Sequence, residues 1–160
     1  LVGSEMCIRD RNNIAPFERT MKARHLSSGA TVIDDSYSAN EQGVLSAIKH
    51  LSRFTQTDKR IIMVPLIELG QEAQIVHKKI GSALAQNQAT TYIYGRRHSK
   101  DILSGFSNPQ TKDNIHFFSN PHQLASAVSH NITANTIILI EGRVPEIIRN
   151  AILSAKQQND

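Results

Sequence analysis

ATVIDDSYSANEQGVLSAIKHL, residues 30–51, reads as strand, turn and helix in succession. Thr31, Val32 and Ile33 are β-branched residues of the kind enriched in strands. Asp34 to Asn40 is a polar run of turn-forming residues. From Asn40 to Phe54, Val44, Leu45, Ile48 and Leu51 fall at helical spacing and build one apolar stripe. A strand that hands over to an amphipathic helix through a polar turn is the first half of a βαβ unit.

The same alternation continues outward. Further apolar runs are Ile61–Val64, Thr91–Tyr94, Ile115–Phe118 and Thr136–Ile140. They recur at about 20–30 residues, the length of a strand plus a crossover helix. Several are apolar throughout, as strands covered on both faces are. The intervals predict helices over Gln71–Asn87, His98–Phe106, Pro121–His130 and Pro145–Lys156. Ile75, Val76, Ile80 and Leu84 are expected on the inner face of the first of these, and Ile147, Ile148, Ala151 and Ile152 on that of the last. Thr20–Leu26 is a candidate edge strand. The prediction is an α/β fold: a doubly wound, mostly parallel sheet of five to six strands with helices on both faces.

Composition narrows the class. With 160 residues, 39 % hydrophobic and a net charge of +4, the chain suits one folded domain. Its basic residues are scattered, so no nucleic-acid partner is expected. No apolar run nears the roughly 20 residues of a membrane span. A single cysteine, Cys7, excludes an internal disulfide framework and fits a reducing, cytoplasmic setting. Residues 1–11 (LVGSEMCIRDR) resemble a translated sequencing-adapter tract and are set apart as a non-native tail. Residues 12–29 are read as linker and edge strand, 30–156 as the α/β domain and 157–160 as a fraying tail.

In doubly wound sheets, ligands bind beyond the carboxyl ends of the strands. Those ends carry Asp34 to Asn40, Pro65 to Gly70, Gly95 to His98 and Glu141 to Arg143. No G-x-G-x-x-G follows the first strand, which excludes the dinucleotide fingerprint. No G-x-x-x-x-G-K-[ST] is present, so these residues offer no P-loop for a triphosphate. A phospho-acceptor receiver would use Asp34 and Asp35, but Gly95 and Glu141 stand where it needs Asp and Lys. A receiver-like signalling domain and a non-catalytic α/β interaction module remain as alternatives.

Three stretches carry a resemblance. The segment VIDDSYSAN, residues 32–40, is similar to V-I-D-D-[ST]-Y-N-A-N of the Mur ligase C-terminal domain, with Ser38 in place of Asn and Glu41 in place of a Pro. KRIIMVPLIELG, residues 59–70, resembles K-R-x-x-V-L-G-D-M-x-E-L-G, with Val64 and Pro65 where Gly and Asp are usual; His77 and Gly81 match further on. IILIEGR, residues 137–143, lies where the family has a strand ending in K-G-S-R. There Gly142 matches and Glu141 replaces Lys. Within the family the wording is nearest to the ligases that add D-alanyl-D-alanine to a UDP-N-acetylmuramoyl tripeptide.

The resemblance implies a domain that closes over nucleotide and second substrate while an acyl phosphate is attacked by an amine in peptidoglycan synthesis. ATP and Mg²⁺ would be held mainly by a central domain, and a further domain would bind the UDP-sugar. This chain is then a fragment, inactive alone, whose partners are those domains, the UDP-N-acetylmuramoyl peptide, and an amino acid or D-alanyl-D-alanine. The implied nucleotide-side residues are Arg19, Asp35, Tyr37 and Asn40. The implied second-substrate residues are Glu68, Gly70, Gly142 and Arg143, the last as a bidentate donor to a carboxylate. Plain structural readings stand beside them: Asp35 or Asn40 as helix cap, Gly70 as a turn, Asp34 as a loop stabiliser, His77 as a structural residue, and Arg96, Arg97 and His98 as a solvated cluster.

Overall fold

The structure, a computed structural model, describes residues 19–37 and 39–155. The expectations placed on residues 1–11 and 157–160 lie outside the described residues. The element order is β1 (Lys22–His25), β2 (Thr31–Asp35), α1 (Glu41–Leu51), β3 (Asp58–Met63), α2 (Ala73–Asn87), β4 (Thr90–Tyr94), α3 (Ser99–Ser104), β5 (Ile115–Phe118), α4 (Pro121–Ser129), β6 (Thr136–Glu141) and α5 (Glu146–Leu153). The strands form one sheet in the order β1-β2-β6-β3-β4-β5. All neighbours are parallel except β1, which pairs antiparallel with β2 as the expected edge strand.

The last strand in sequence lies in the middle of the sheet, and its composition explains why. β6 is flanked by β2 and β3, and all six of its residues are buried. Ile137 and Leu139 pack with α1 and α2 on one face, and Ile138 and Ile140 pack with α4 and α5 on the other. Side chains alternate across a strand, so one covered on both sides must be apolar at every position. The helices start on local signals. The Asn40 side chain caps α1 by accepting from the Gly43 amide at 2.9 Å. Asn120 caps α4, with Pro121 in its first turn.

Three sequence expectations are corrected. β3 begins at Asp58, not Ile61, because Arg60 is a buried structural cation. Its guanidinium bonds Asp58 and donates to the carbonyls of Val128 and His130 at the end of α4. A cation there complements the negative end of the helix dipole. Ile75 and Ile147 are exposed rather than inward-facing, at 54 % and 39 %. The helix turns place their neighbours Val76 and Ile148 against the sheet instead.

α2 and α3 approach closely through two glycines. A Cβ at Gly81 would overlap the Ile102 carbonyl oxygen, and one at Gly105 would overlap the Lys78 carbonyl oxygen. Both obstacles are backbone, so no side-chain rotation relieves them. Gly81→Ala is therefore expected to destabilise the chain by about 1–3 kcal/mol through overpacking. Urea unfolding checks this; an unchanged midpoint would mean that the helices separate freely.

Candidate functional site

The site is built on the last two residues of β2, which alternation sends to opposite faces. Asp34 is fully buried. Its Oδ2 accepts from Arg149 Nη2 at 2.7 Å and Nε at 2.9 Å, and its Oδ1 accepts from Ser36 Oγ at 2.6 Å. Burial pushes the Asp34 carboxyl up, but the bonds from Arg149 and Ser36 outweigh it and hold the group below its ordinary value. This is the loop-stabilising role expected of Asp34.

Asp35 points to the other face. Its Oδ1 accepts from the Met21 amide at 3.1 Å. Burial raises its pKa, the Met21 bond opposes that, and the neighbouring Asp34 charge adds to it. Beside it in register stands Glu141 at the end of β6. Burial, the adjacent Asp35 charge and the bond to Asp35 push Glu141 up to about 8.

The chain entering β1 is pinned across this corner. Arg19 and Met21 both adopt positive φ, 66° and 46°. The Tyr37 amide donates to the Arg19 carbonyl at 3.0 Å, and the Arg19 guanidinium lies 2.5 Å from Glu146. Left-handed backbone at two non-glycine residues persists only where surrounding contacts hold it.

Two cavities open at the carboxyl ends of the strands. One, of about 530 Å³, is polar and is lined by Arg19, Ser36, Tyr37, Arg143 and Glu146. The other, of about 320 Å³, is lined by Val64, Pro65, Leu66, Ile67 and Tyr94, with Glu68 and Arg143 as its charged groups. Arg143 and Pro145 line both. Arg143 is exposed, and no ion pair holds it among the described residues.

The structure thus joins Arg19, Tyr37 and Arg143 around one cavity, and Glu68 and Arg143 around the other. Asp35 lies beneath this edge and lines neither cavity among the described lining residues. Asn40 is committed to capping α1. Gly70 opens a 3-10 turn at φ +53°, with nothing near a would-be side chain. Gly142, at φ +74°, packs its backbone so close that a Cβ would meet Ala39 at 3.1 Å. Glu68 holds a left-handed conformation, φ 61°, in the loop after β3. Among the described residues no group of three or more His, Cys, Asp or Glu is placed to hold a metal ion. No helix there is long and apolar enough to cross a membrane.

Outside this corner, His77 is buried, with Nδ1 2.7 Å from the Ala73 carbonyl, and it stacks on His98 at a centroid distance of 4.2 Å. Burial lowers its pKa. Arg96 and Arg97 are exposed. Sequence reasoning missed Arg149, because a helix pattern does not say which residue reaches a buried acid. It also left Glu141 unassigned, although an acid closing an all-apolar strand was the available signal.

Residues 19–144 match the family described as Mur ligase, glutamate ligase domain. The chain is 23 % identical over 133 residues to UDP-N-acetylmuramoyl-tripeptide--D-alanyl-D-alanine ligase of Bacillus subtilis (strain 168), covering 79 % of this chain and 29 % of that protein. The chain therefore spans less than a third of that relative. Among solved structures, it superposes on MurF ligase from Thermotoga maritima in complex with ADP with TM-score 0.69 and 18 % identity, over 92 % of this chain and 33 % of that one. For MurF from Acinetobacter baumannii the values are 0.75 and 18 %, over 95 % and 34 %. At such identities these structures show the fold, an α/β sheet of the same architecture.

Cutting the Asp34–Arg149 pair leaves an uncompensated acid in the core. Arg149→Ala is expected to cost about 3–5 kcal/mol at neutral pH. Because the folded pKa of Asp34 lies below its ordinary 3.8, the pair's contribution is present above that pH and is lost as pH falls below it. Urea melts of both chains at pH 7 and in acid read this out. An equal pH dependence of the two chains would show that Asp34 is not held by Arg149.

Proposed function

The chain belongs to the Mur ligases through their glutamate ligase domain, and from that premise we propose that it is the C-terminal closing domain of an ATP-dependent ligase of peptidoglycan synthesis. The longer enzyme would add an amino acid or D-alanyl-D-alanine to a cytoplasmic UDP-N-acetylmuramoyl peptide through an acyl phosphate. The observation that carries this reading is Arg143, an exposed guanidinium shared by a polar and an apolar cavity at the carboxyl edge of the sheet.

The polar cavity suits the nucleotide side. Arg19 offers donors and Tyr37, 59 % exposed, offers a ring face. Asp35 and Asn40 border this corner, and in this reading the Asp35 carboxylate accepts from the ribose hydroxyls of the nucleotide. The apolar cavity suits the incoming amine substrate. Arg143 would pair with its carboxylate, Glu68 would meet its ammonium group, and Val64, Pro65 and Ile67 would cover its apolar part. Gly70 and Gly142 shape the loops around it. No three-ligand acidic cluster is present among the described residues. In this reading the central domain of the longer enzyme holds Mg²⁺ and the triphosphate. ATP supplies the phosphoryl group that activates the carboxylate; these residues orient the two reactants and exclude water when the domain closes.

In the full-length ligase, Arg143→Ala is expected to raise the KM for the amine substrate about 10- to 100-fold, the value of one charge-assisted bond pair. Asp35→Ala is expected to raise the KM for ATP instead. Steady-state kinetics with each substrate varied separates the two, and an unchanged amine KM in the Arg143 variant would sink the reading. The 160-residue chain alone, lacking the P-loop motif, is expected to release no phosphate from ATP with both substrates present. Release above a no-protein blank would overturn that expectation.

A further inference from the structure

Glu141 is 1 % exposed, and no N–H or O–H group of the described residues donates to either of its oxygens. Its register partner on β2 is Asp35, so the two acids leave adjacent strands on the same face of the sheet. Two ionised carboxylates offer each other only acceptors, so an adjacent pair whose buried member has no donor calls for a proton on one of them. We propose that Glu141 carries that proton and is the positioning residue for Asp35, donating to it and holding it as an oriented carboxylate against the Met21 amide.

The surroundings decide which acid keeps the proton. Asp35 has a backbone donor in Met21, which favours its ionised form. Glu141 has none and is more deeply buried. Among the described residues, the charged groups near the pair are already accounted for. Asp35 is the charge acting on Glu141. Asp34, behind Asp35, is neutralised by Arg149. Met63, its register partner on β3, is apolar. Glu41 and Lys79, on α1 and α2, are paired with each other at 2.9 Å. In the family pattern quoted above, a Lys stands at this position, and here an acid replaces it. The proton on Glu141 makes this a titratable corner.

The corner reaches the linker. Deprotonating Glu141 sets two like charges side by side in a buried place. Relief comes from turning Asp35 outward, which breaks its bond to Met21 and loosens the pinned segment before β1. The link from Asp35 to nucleotide rests on the proposed function; the proton on Glu141 does not.

The test is a carboxyl-carbon NMR titration of the ¹³C-labelled chain from pH 5 to 10, beside the Glu141→Gln variant, whose amide donates without titrating. A Glu141 midpoint near 8 is expected, falling when Asp35 is replaced by Asn. The raised folded-state pKa has a defined sign: stability is full below the ordinary 4.5 and is lost as pH rises to about 8. Relative to Glu141→Gln, the wild-type unfolding constant should therefore climb up to about tenfold per pH unit in that window and level off above it. A midpoint below about pH 6 overturns the proposal, as do parallel stability curves. If the Gln variant does not fold, the wild-type midpoint decides. An unchanged ATP KM in full-length Asp35→Ala would remove the nucleotide role and leave the proton pair standing.

Discussion

The corner depends on one buried ion pair. Asp34 and Arg149 tie the end of β2 to α5, and Ser36 bonds the same acid and so fixes the first step of the loop. Because consecutive strand residues face opposite ways, fixing Asp34 on one side fixes Asp35 on the other. From Asp35 the constraint passes to the Met21 amide, and the strand register sets Glu141 of β6 beside it. One charge pair therefore registers two strands, a helix and the incoming chain. Its energetic value is the cost of leaving either charge alone in the core, not an attraction gained over a hydrophobic filling.

Close packing does similar work at longer range. β6 sits between β2 and β3, so its carboxyl end carries Glu141, Gly142 and Arg143 to the middle of the sheet edge. Gly142 lets the backbone turn tightly against Ala39, and the chain then presents Arg143 between the two cavities. The loop after β3 supplies the opposing wall, with Pro65 and Ile67 making it apolar and Glu68 giving it a negative charge. Opposite charges flanking an apolar recess form a chemical fit for a small zwitterion, and that fit underlies the proposed acceptance of an amine substrate.

Much of this was legible in the chain itself. The strand–turn–helix of residues 30–51, the five apolar runs and their spacing correspond to β2 through β6, because hydrophobic periodicity reports which side of an element meets a core. The Asn40 cap was legible for the same kind of local reason. Arg60 was not. A charged residue inside a strand reads as an end, and only the carbonyls at the finish of α4, far along the sequence, make its burial favourable. Ile75 and Ile147 misled because an apolar residue at the margin of a stripe turns outward when its neighbour fills the core.

The sequence by itself determined the architecture and the family. Those follow from local periodicity and from a short motif whose spacing survives without any fold in view. The tertiary structure alone decided which residues act together. Arg143 is shared between cavities, Asp35 is turned toward Met21 and Glu141, and Arg149 reaches Asp34 across 115 positions. Electrostatics in a buried place depend on distance and on exclusion of water, and neither quantity exists until strands far apart in sequence lie side by side.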